Sequence, residues 1–417
     1  MKIKSKKANN EKEFNPRKRK RKKTAILREF YILLIIPLCL YYFIINRRIK
    51  TGVNRIVVLM EQQKERINEY LNLSYNEKLT EIIPKHEIIN PFFSIIIPFN
   101  NRNKTIKKTI LSIQNQNYKN YEIICVDDNS NDTTIDIIKG LSKIDRRIKI
   151  VKNSGQSGPF ITRLNGMKIA KGNYIYNLDS DDMITLPEAL EFLYNVTKIY
   201  NVDTIEFNSI CGEIGKYKEI QETINSDDEY GKILYGRDII NRRYTSEGRI
   251  KRKWYGFVWT KIIKKEIVNK LIMNFELIGV EKFKNWYYAE DQYFSDILRI
   301  ICNSYLHIDK IYHFHYLNPG SLTGSNNPKK RFKHHYKYCA YFDKLIQYYK
   351  LDGDFLIPNV LVIFVFSINK MILNVDECKL FYSLIIKIKN KTKNEKYFHY
   401  HNIAYKIILE RYYKYCG

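Results

Sequence analysis

The chain has 417 residues, of which 45% are hydrophobic and 28% charged, and its formal net charge is +27. The length allows two or three domains, or one large α/β domain with extensions, and the apolar content is sufficient for a sizeable core. The seven cysteines show no CxxC spacing, which argues against a disulfide scaffold or a zinc site.

Much of the positive charge lies at the N-terminus. The run Arg17–Lys23 would suit nucleic acid, a nuclear import signal or an anionic membrane surface. The adjoining segment favours the membrane, because residues 30–45 carry no charge and residues 25–46 approach the ~20 residues that span a bilayer. No small-residue cleavage pattern comes after the apolar run, so a membrane anchor is favoured over a signal peptide. A nucleic-acid partner is correspondingly disfavoured.

The distribution of basic residues predicts the orientation of this anchor. Lys and Arg are more abundant before the span than after it, which places residues 1–24 in the cytosol as a basic tail. Residues 47–90 are polar, with apolar residues at helical spacing, and are predicted to form a stem. The predicted topology is single-pass type II, with the bulk of the chain in the Golgi or ER lumen if the host is eukaryotic.

Strands and helices alternate from residue 92 onward. The predicted strands are Phe92–Pro98, Tyr121–Val126, Arg147–Val151 and Tyr174–Leu178. Apolar residues recur at helical spacing between them, as in Ile106, Ile110 and Ile113. This alternation predicts βαβ units and a mostly parallel α/β sheet.

Two acidic clusters come directly after predicted strands: Asp127 and Asp128, and then Asp179, Asp181 and Asp182. Because parallel strands bring their carboxyl ends to one edge of a sheet, we expect the clusters to lie together there. Three carboxylates in four residues repel one another unless a cation lies among them, and magnesium-type ions bind one or two carboxylates plus substrate phosphates. One cluster could therefore hold a base and ribose while the other holds a metal on the diphosphate.

Both clusters also have a purely structural interpretation. Asp127 and Asp128 could form an Asx turn before the next helix. Thr185–Glu188 has the spacing of a capping box, so the second cluster could be a solvated turn at a helix start. The presence of two clusters after two strands favours the nucleotide site.

A resemblance to family 2 inverting glycosyltransferases, which have a Rossmann-like sheet of the glycosyltransferase A type, is carried by four ordered segments. They are Ser94–Asn101, Ile124–Asp132, Asn153–Gly158 and Asn177–Asp182. The resemblance extends from about Phe92 to about Leu322. It implies a catalytic domain at residues 91–325, with a helical C-terminal region at residues 326–417.

The resemblance implies roles for residues around a nucleotide sugar. Those expected near the nucleotide are Pro98, Phe99, Asn100, Asp127, Asp128, Arg163 and Asp179. Phe99 replaces the usual Tyr, which retains stacking and loses a hydroxyl. Leu164 replaces the Asn that usually comes after Arg163. Asp179 and Asp181 match the metal-binding DxD, with Asp182 adjacent, and Mn²⁺ or Mg²⁺ is the implied ion.

Glu290 and Asp291 match the family's Glu-Asp motif and begin a helical pattern with Phe294 and Ile297 on one face. Without the resemblance, a carboxylate at a helix start is a routine cap. With it, Asp291 is the expected general base, which takes the proton from the acceptor hydroxyl opposite the leaving diphosphate. Glu290 would then orient the acceptor or close a supporting hydrogen bond.

The second half of the domain is less regular. Residues 201–250 are weakly patterned and are predicted to form a variable insertion or acceptor loop. Trp259 is expected to pack in the core, whereas Trp254 could stack on a sugar. His313 and His315 share one face of the predicted closing strand, where the pair could simply pack or either could complete the metal shell.

The predicted activity is transfer of a sugar from a nucleotide diphosphate, with a UDP-sugar as the expected donor, to a hydroxyl of a glycan or glycolipid. One alternative is a polyprenyl-phosphate sugar synthase, whose acceptor is a lipid phosphate. Another is a non-catalytic protein that keeps the fold to bind a membrane or nucleic acid, but the intact acidic clusters argue against it. In a bacterial host the predicted topology would fail, since sugar nucleotides are absent outside the cell.

Overall fold

A computed structural model describes the central part of the chain. The described residues are 88–213, 216–222, 230–236, 238–239, 257–287 and 290–317, with short helical pieces at 62, 65–67, 378–379 and 382–383. Among these residues, no helix is both long and apolar enough to cross a bilayer. The predicted anchor at residues 25–46 and the basic tail lie outside the described residues, as do Trp254 and nearly all of residues 326–417.

The first half of the domain alternates strands and helices as predicted. The elements are β1 (Phe93–Phe99), α1 (Ile106–Gln114), β2 (Tyr121–Asp127), α2 (Thr134–Ile144), β3 (Ile148–Lys152), α3 (Pro159–Ile169) and β4 (Tyr174–Asn177). The boundaries of the four strands differ from the predicted ones by at most one residue. Both faces of β1 and β2 are buried throughout, which explains their continuous apolar runs.

The second half contains more strand than predicted. The elements are β5 (Met183–Ile184), α4 (Ala189–Tyr200), β6 (Thr204–Glu213), β7 (Lys216–Glu222), β8 (Ile233–Tyr235), β9 (Lys261–Lys264), α5 (Lys265–Ile278), a 3₁₀ turn (Val280–Phe283), α6 (Glu290–Ile301) and β10 (Ser304–Tyr316). Strands β6, β7 and β8 lie within residues 201–250, for which the sequence predicted a variable insertion or acceptor loop and no strands. The predicted closing strand is present as β10 and begins earlier, at Ser304.

The strands form one ten-stranded sheet in the order β3-β2-β1-β4-β9-β6-β10-β5, with β7 on β6 and β8 on β10. β3, β2, β1 and β4 are parallel, whereas β9 pairs antiparallel with both β4 and β6. The sheet is thus mixed: the expectation of a mostly parallel sheet holds for its first half, whereas in the second half β6 and β10 are parallel and the other pairs are antiparallel. The shared direction of β1, β2 and β4 brings Asp127 and the acids after β4 to one edge.

Apolar side chains pack on both faces of the sheet. One core cluster joins Ile96 and Ile124 to α3, α5 and α6, and the other joins Ile95 and Ile123 to α1 and α4. Burial of two faces is the arrangement expected for an α/β sheet with helices on both sides. The two layers hold the carboxyl edge of the parallel strands in a fixed position.

The turn after β4 does not cap the next helix in the predicted way. Helix α4 begins after Glu188, and no side chain caps its N-terminus. The hydroxyl of Thr185 instead donates to the carbonyl of Ile311 on β10, at 2.7 Å. The capping-box interpretation of Thr185–Glu188 was wrong, because a tertiary contact takes the hydroxyl that the local motif would use.

Candidate active site

Asp127 and Asp128 have different surroundings. Both oxygens of Asp128 accept hydrogen bonds, from the amides of Ser157 (2.7 Å) and Gly158 (2.9 Å) and from the side chain of Asn153 (2.9 Å). Asp127 accepts from the amide of Ser130 at 2.8 Å, but its Oδ2 atom is buried and has no hydrogen-bond partner in the described part of the chain. Asp128 therefore holds the loop before α3, whereas Asp127 has one buried oxygen that no described residue satisfies.

The residues at the end of β1 lie beside these acids. Asn100 donates from its side chain to the carbonyl of Asp128 at 2.8 Å, and the amide of Asp128 donates to the carbonyl of Phe99 at 2.8 Å. The Phe99 side chain is only 3% exposed and packs in the core, and Pro98 is also buried. These contacts fix the position of the Asp127 carboxylate at the sheet edge.

Arg163, on α3, connects the acidic cluster after β4 with the acids that begin α6. Its Nη2 atom donates to Asp179 at 2.7 Å. Its Nη1 atom lies 3.2 Å from Asp291 and 3.6 Å from Glu290. The guanidinium is almost fully buried, and although burial opposes its charge, Asp179 and the other two acids raise its pKa. One cation thus holds three carboxylates together.

Glu290 and Asp291 are poorly solvated. Burial and the charge of Asp291 raise the pKa of Glu290 to about 8, although Arg163 opposes the shift. Burial raises the pKa of Asp291 to about 6, again against the effect of Arg163. Because the two carboxyl groups share one cation, ionisation of one makes ionisation of the other less favourable. The pair is thereby suited to exchange protons near neutral pH.

Asp181 lies near a cation that the sequence did not point to. The Nε atom of Arg102, in the loop after β1, is 3.7 Å from Asp181. Burial and the nearby Asp182 raise the pKa of Asp181 to about 6 despite Arg102. A bound cation, such as a metal ion, would stabilise the ionised form of a carboxyl group in these surroundings.

Asp182 is fully buried and accepts several hydrogen bonds. Its partners are His313 Nε2 at 2.9 Å, His315 Nδ1 at 3.1 Å and the amide of Tyr316 at 3.0 Å. Burial alone would raise the pKa of Asp182, but His315 and His313 together lower it well below its usual range. In turn, Asp182 outweighs the burial of His315 and raises the pKa of that imidazole to about 9.

The same residues have the chemistry of a metal site. One ligand atom from each of Asp182, His313 and His315 can be chosen so that all three lie within 4.8 Å of one another. Asp181 and Asp179 act electrostatically on His315 and so lie close by. Carboxylate oxygens with an imidazole nitrogen are a donor set that a divalent transition ion accepts. The two histidines do share one face of β10, as their alternation predicted.

Trp259 packs in the core, as predicted, and is 4% exposed. Its ring stacks on His313 with centroids 4.3 Å apart and on His315 at 5.3 Å. The sequence offered no sign of this contact, because more than fifty residues separate the tryptophan from the histidines. A small pocket adjoins Arg163 and the two acids that begin α6, and its lining is otherwise apolar: Phe160, Leu164, Met167, Val258, Phe275 and Phe294, with Arg163, Glu290 and Asp291.

Part of the described domain matches a known protein family. Residues 94–267 match the model of the family described as glycosyl transferase family 2. This part of the chain is therefore similar to family 2 glycosyltransferases. The matched range includes Asp127, Arg163 and Asp182 and ends before Asp291.

Named relatives of this domain are glycosyltransferases. Poly(ribitol-phosphate) beta-N-acetylglucosaminyltransferase of Staphylococcus aureus is 30% identical over 238 residues, which cover 56% of this chain and 64% of the relative. GalNAc(5)-diNAcBac-PP-undecaprenol beta-1,3-glucosyltransferase of Campylobacter jejuni is 28% identical over 283 residues, which cover 62% of this chain and 85% of the relative. The aligned part thus spans just under two thirds of the first relative.

A solved structure shows the same fold. The crystal structure of S. aureus TarS in complex with UDP-GlcNAc superposes with a TM-score of 0.51 at 17% sequence identity. The superposition covers 77% of this chain and 89% of the other. The described domain therefore shares the fold of that structure, which agrees with the A-type fold that the sequence resemblance implied.

Proposed function

We propose that this chain is an inverting glycosyltransferase that transfers a sugar from a UDP-sugar to a hydroxyl group. The observation that carries the proposal is the position of Arg163, which joins Asp179, after β4, to Asp291, at the start of α6. A donor diphosphate and an acceptor hydroxyl must meet at one place, and these two acids supply a group for each. The beta linkages in the names of both relatives agree with inversion of an α-linked UDP-sugar.

Asp127 is the proposed contact for the base of the nucleotide. Its free Oδ2 atom can accept the N–H of uracil, which removes the cost of a buried acceptor without a partner. Asp128, by contrast, is occupied by the loop at residues 153–158 and acts by holding that loop. Arg163 would stabilise negative charge near the leaving group.

Asp181 and His315 are the proposed holders of a divalent metal, with Asp179 nearby. When bound, the ion would supply positive charge that neutralises the departing diphosphate. Mn²⁺ suits the mixed oxygen and nitrogen donors better than Mg²⁺ does. The protein's own contribution is to hold these acids in a buried place, where Asp181 is poorly neutralised without a cation.

Asp291 is the proposed general base. Its raised pKa lets it hold a proton taken from the acceptor hydroxyl, and Arg163 stabilises its charged form before the reaction. Glu290 is more buried and is the more easily protonated of the two. It is therefore better placed to donate a hydrogen bond to the acceptor than to remove its proton.

The acceptor is proposed to be a glycan, a polyol-phosphate polymer or a lipid-linked glycan, the classes named for the two relatives. A chain with a net charge of +27 is suited to an anionic acceptor. We infer that residues 25–46 anchor the chain in a membrane, which would bring the domain near a lipid-linked acceptor. Alkaline carbonate extraction of membranes from the native host tests the anchor.

Calorimetry of the full-length chain with UDP and GDP, with and without Mn²⁺, tests the donor site. UDP should bind more tightly with Mn²⁺, and Asp181→Ala should remove the metal dependence. Asp136→Ala, which removes an exposed carboxylate on α2, is the matched control and should bind as wild type does. Folded protein that binds neither nucleotide would contradict the proposal and favour a non-catalytic binding protein.

A further inference from the structure

The loop before β9 places two stacked aromatic rings, Phe257 and Trp259, next to the histidines of β10. Phe257 stacks on Trp259 with centroids 4.2 Å apart, and the Trp259 ring is nearly parallel to both imidazoles, at 18° to His313 and 7° to His315. Two neighbouring imidazoles therefore lie against one buried indole. A flat contact of this kind restricts rotation of a ring about its χ2 bond.

Hydrogen bonds use the ring nitrogens unequally. His313 is fully buried and uses both nitrogens, Nδ1 with the Tyr176 hydroxyl at 3.0 Å and Nε2 with Asp182. His315 uses Nδ1 with Asp182, its side chain is 37% exposed, and its Nε2 atom has no hydrogen bond to any described residue. In the neutral ring, with Nδ1–H of His315 donated to Asp182, the lone pair lies on Nε2 and can bind a cation in place of the ring's second proton.

Lys261 fixes the loop that carries these two aromatic rings. Its buried ammonium donates to the carbonyl of Phe257 at 2.5 Å and pairs with Glu206 of β6 at 3.0 Å. The loop is thereby tied to the centre of the sheet. This buried ion pair therefore holds Phe257, and with it the neighbouring Trp259, in a fixed position relative to β6.

We propose that Trp259 is a positioning residue for the metal site: together with Asp182 and His313 it fixes the ring of His315 so that Nε2 binds the divalent cation beside Asp181. The inference rests on the proposed function, because it concerns the metal assigned there. Asp182 then acts through the histidines as a hydrogen-bond acceptor. Such supporting contacts to a metal-binding histidine typically affect metal affinity about 10–100-fold.

The test compares two substitutions of Trp259 by the binding of Mn²⁺ alone, measured as the EPR signal of free Mn²⁺ on titration of the full-length chain. Trp259→Phe keeps a flat ring, and Trp259→Leu keeps only apolar volume. We expect Trp259→Leu to weaken Mn²⁺ binding at least tenfold and Trp259→Phe to stay within about threefold of wild type. UDP affinity without metal should be unchanged in both variants.

Phe93→Leu is the control for a general loss of stability. Phe93 is a fully buried aromatic residue of β1 whose ring neighbours are Phe92 and Tyr118, away from the histidines. The substitution Phe93→Leu should lower thermal stability and leave Mn²⁺ affinity unchanged. Equal Mn²⁺ affinity of Trp259→Leu and wild type would overturn the inference. Wild-type protein that binds no Mn²⁺ would overturn it too, and UDP binding in the same preparation would then tell whether the proposed glycosyltransferase function also falls.

Discussion

The Nη2 atom of Arg163 donates a 2.7 Å hydrogen bond to Asp179. Through its other terminal nitrogen, the same guanidinium lies 3.2 Å from Asp291. A planar group with several donors can make both contacts at once, and a lysine ammonium on a flexible stem cannot reproduce that geometry. One side chain therefore fixes the positions of Asp179, proposed to lie near the donor, and Asp291, proposed to act on the acceptor, relative to each other.

Arg163→Lys should lower kcat/KM for sugar transfer roughly 100-fold, the size of effect seen when a donor to developing negative charge is lost. The charge remains, so the chain should still fold with only a small change in its thermal midpoint. Steady-state kinetics with a UDP-sugar and circular dichroism melting measure the two effects. Arg146→Lys, an exposed neighbour of β3, is the control and should leave both values unchanged.

The pH dependence of kcat/KM should have an acid limb near pH 6. Burial raises the pKa of Asp291 to about 6, and a general base acts only when deprotonated, so the rate should fall as pH decreases through that value. Initial rates between pH 5 and pH 8 measure this, with UDP affinity monitored over the same range. A rate that stays constant down to pH 5 would argue against Asp291 as the base.

Asp127→Asn should mainly weaken UDP binding, whereas Asp128→Asn should mainly lower the stability of the domain. In Asp127→Asn the amide oxygen can still accept from Ser130, but the nitrogen cannot accept from uracil, so UDP affinity should fall at least tenfold with little loss of stability. In Asp128→Asn an amide nitrogen faces an N–H donor of the loop at residues 153–158, which should cost about 1–3 kcal/mol of unfolding free energy. Calorimetry with UDP and thermal melting separate the two, and the reverse result would exchange the assigned roles.

Gly172→Ala should destabilise the domain. A Cβ atom at position 172 would lie 2.5 Å from the backbone nitrogen of Ser94, which cannot move without disturbing β1. We expect a loss of about 1–3 kcal/mol of unfolding free energy, the usual cost of overpacking. Gly140→Ala, in α2, meets no atom within 4 Å and should instead stabilise by about 0.5–1 kcal/mol. Urea denaturation of both variants measures the contrast.

The parallel half of the fold could be predicted from the sequence because β1 and β2 are continuous apolar runs with both faces buried. Strand β6 could not be recognised, because its buried residues include Glu206 and Asn208. Their charge and polarity are satisfied by Lys261 and His307, on strands far away in the sequence. The polar residues of β6 are therefore buried in the folded chain, although their sequence pattern is typical of a solvent-exposed segment.

Within the site, the sequence located the acids but could not distinguish their surroundings. Asp181 and Asp182 are adjacent, yet only Asp182 is enclosed by hydrogen bonds from β10, 131 or more residues later in the chain. The same holds for Asp127 and Asp128, whose difference depends on the loop before α3. The different roles of two adjacent aspartates depend on tertiary contacts, which the sequence does not reveal.

The most direct test of the proposed sugar transfer is the release of UDP from a UDP-sugar. Wild type, Asp291→Asn and Glu290→Gln are compared in the presence of Mn²⁺ and a panel of glycan and polyol-phosphate acceptors. If Asp291 is the general base, we expect β-linked product from wild type, a loss of at least about 100-fold in kcat for Asp291→Asn with UDP affinity retained, and a smaller loss for Glu290→Gln. Sugar transfer by Asp291→Asn at the wild-type rate would contradict it.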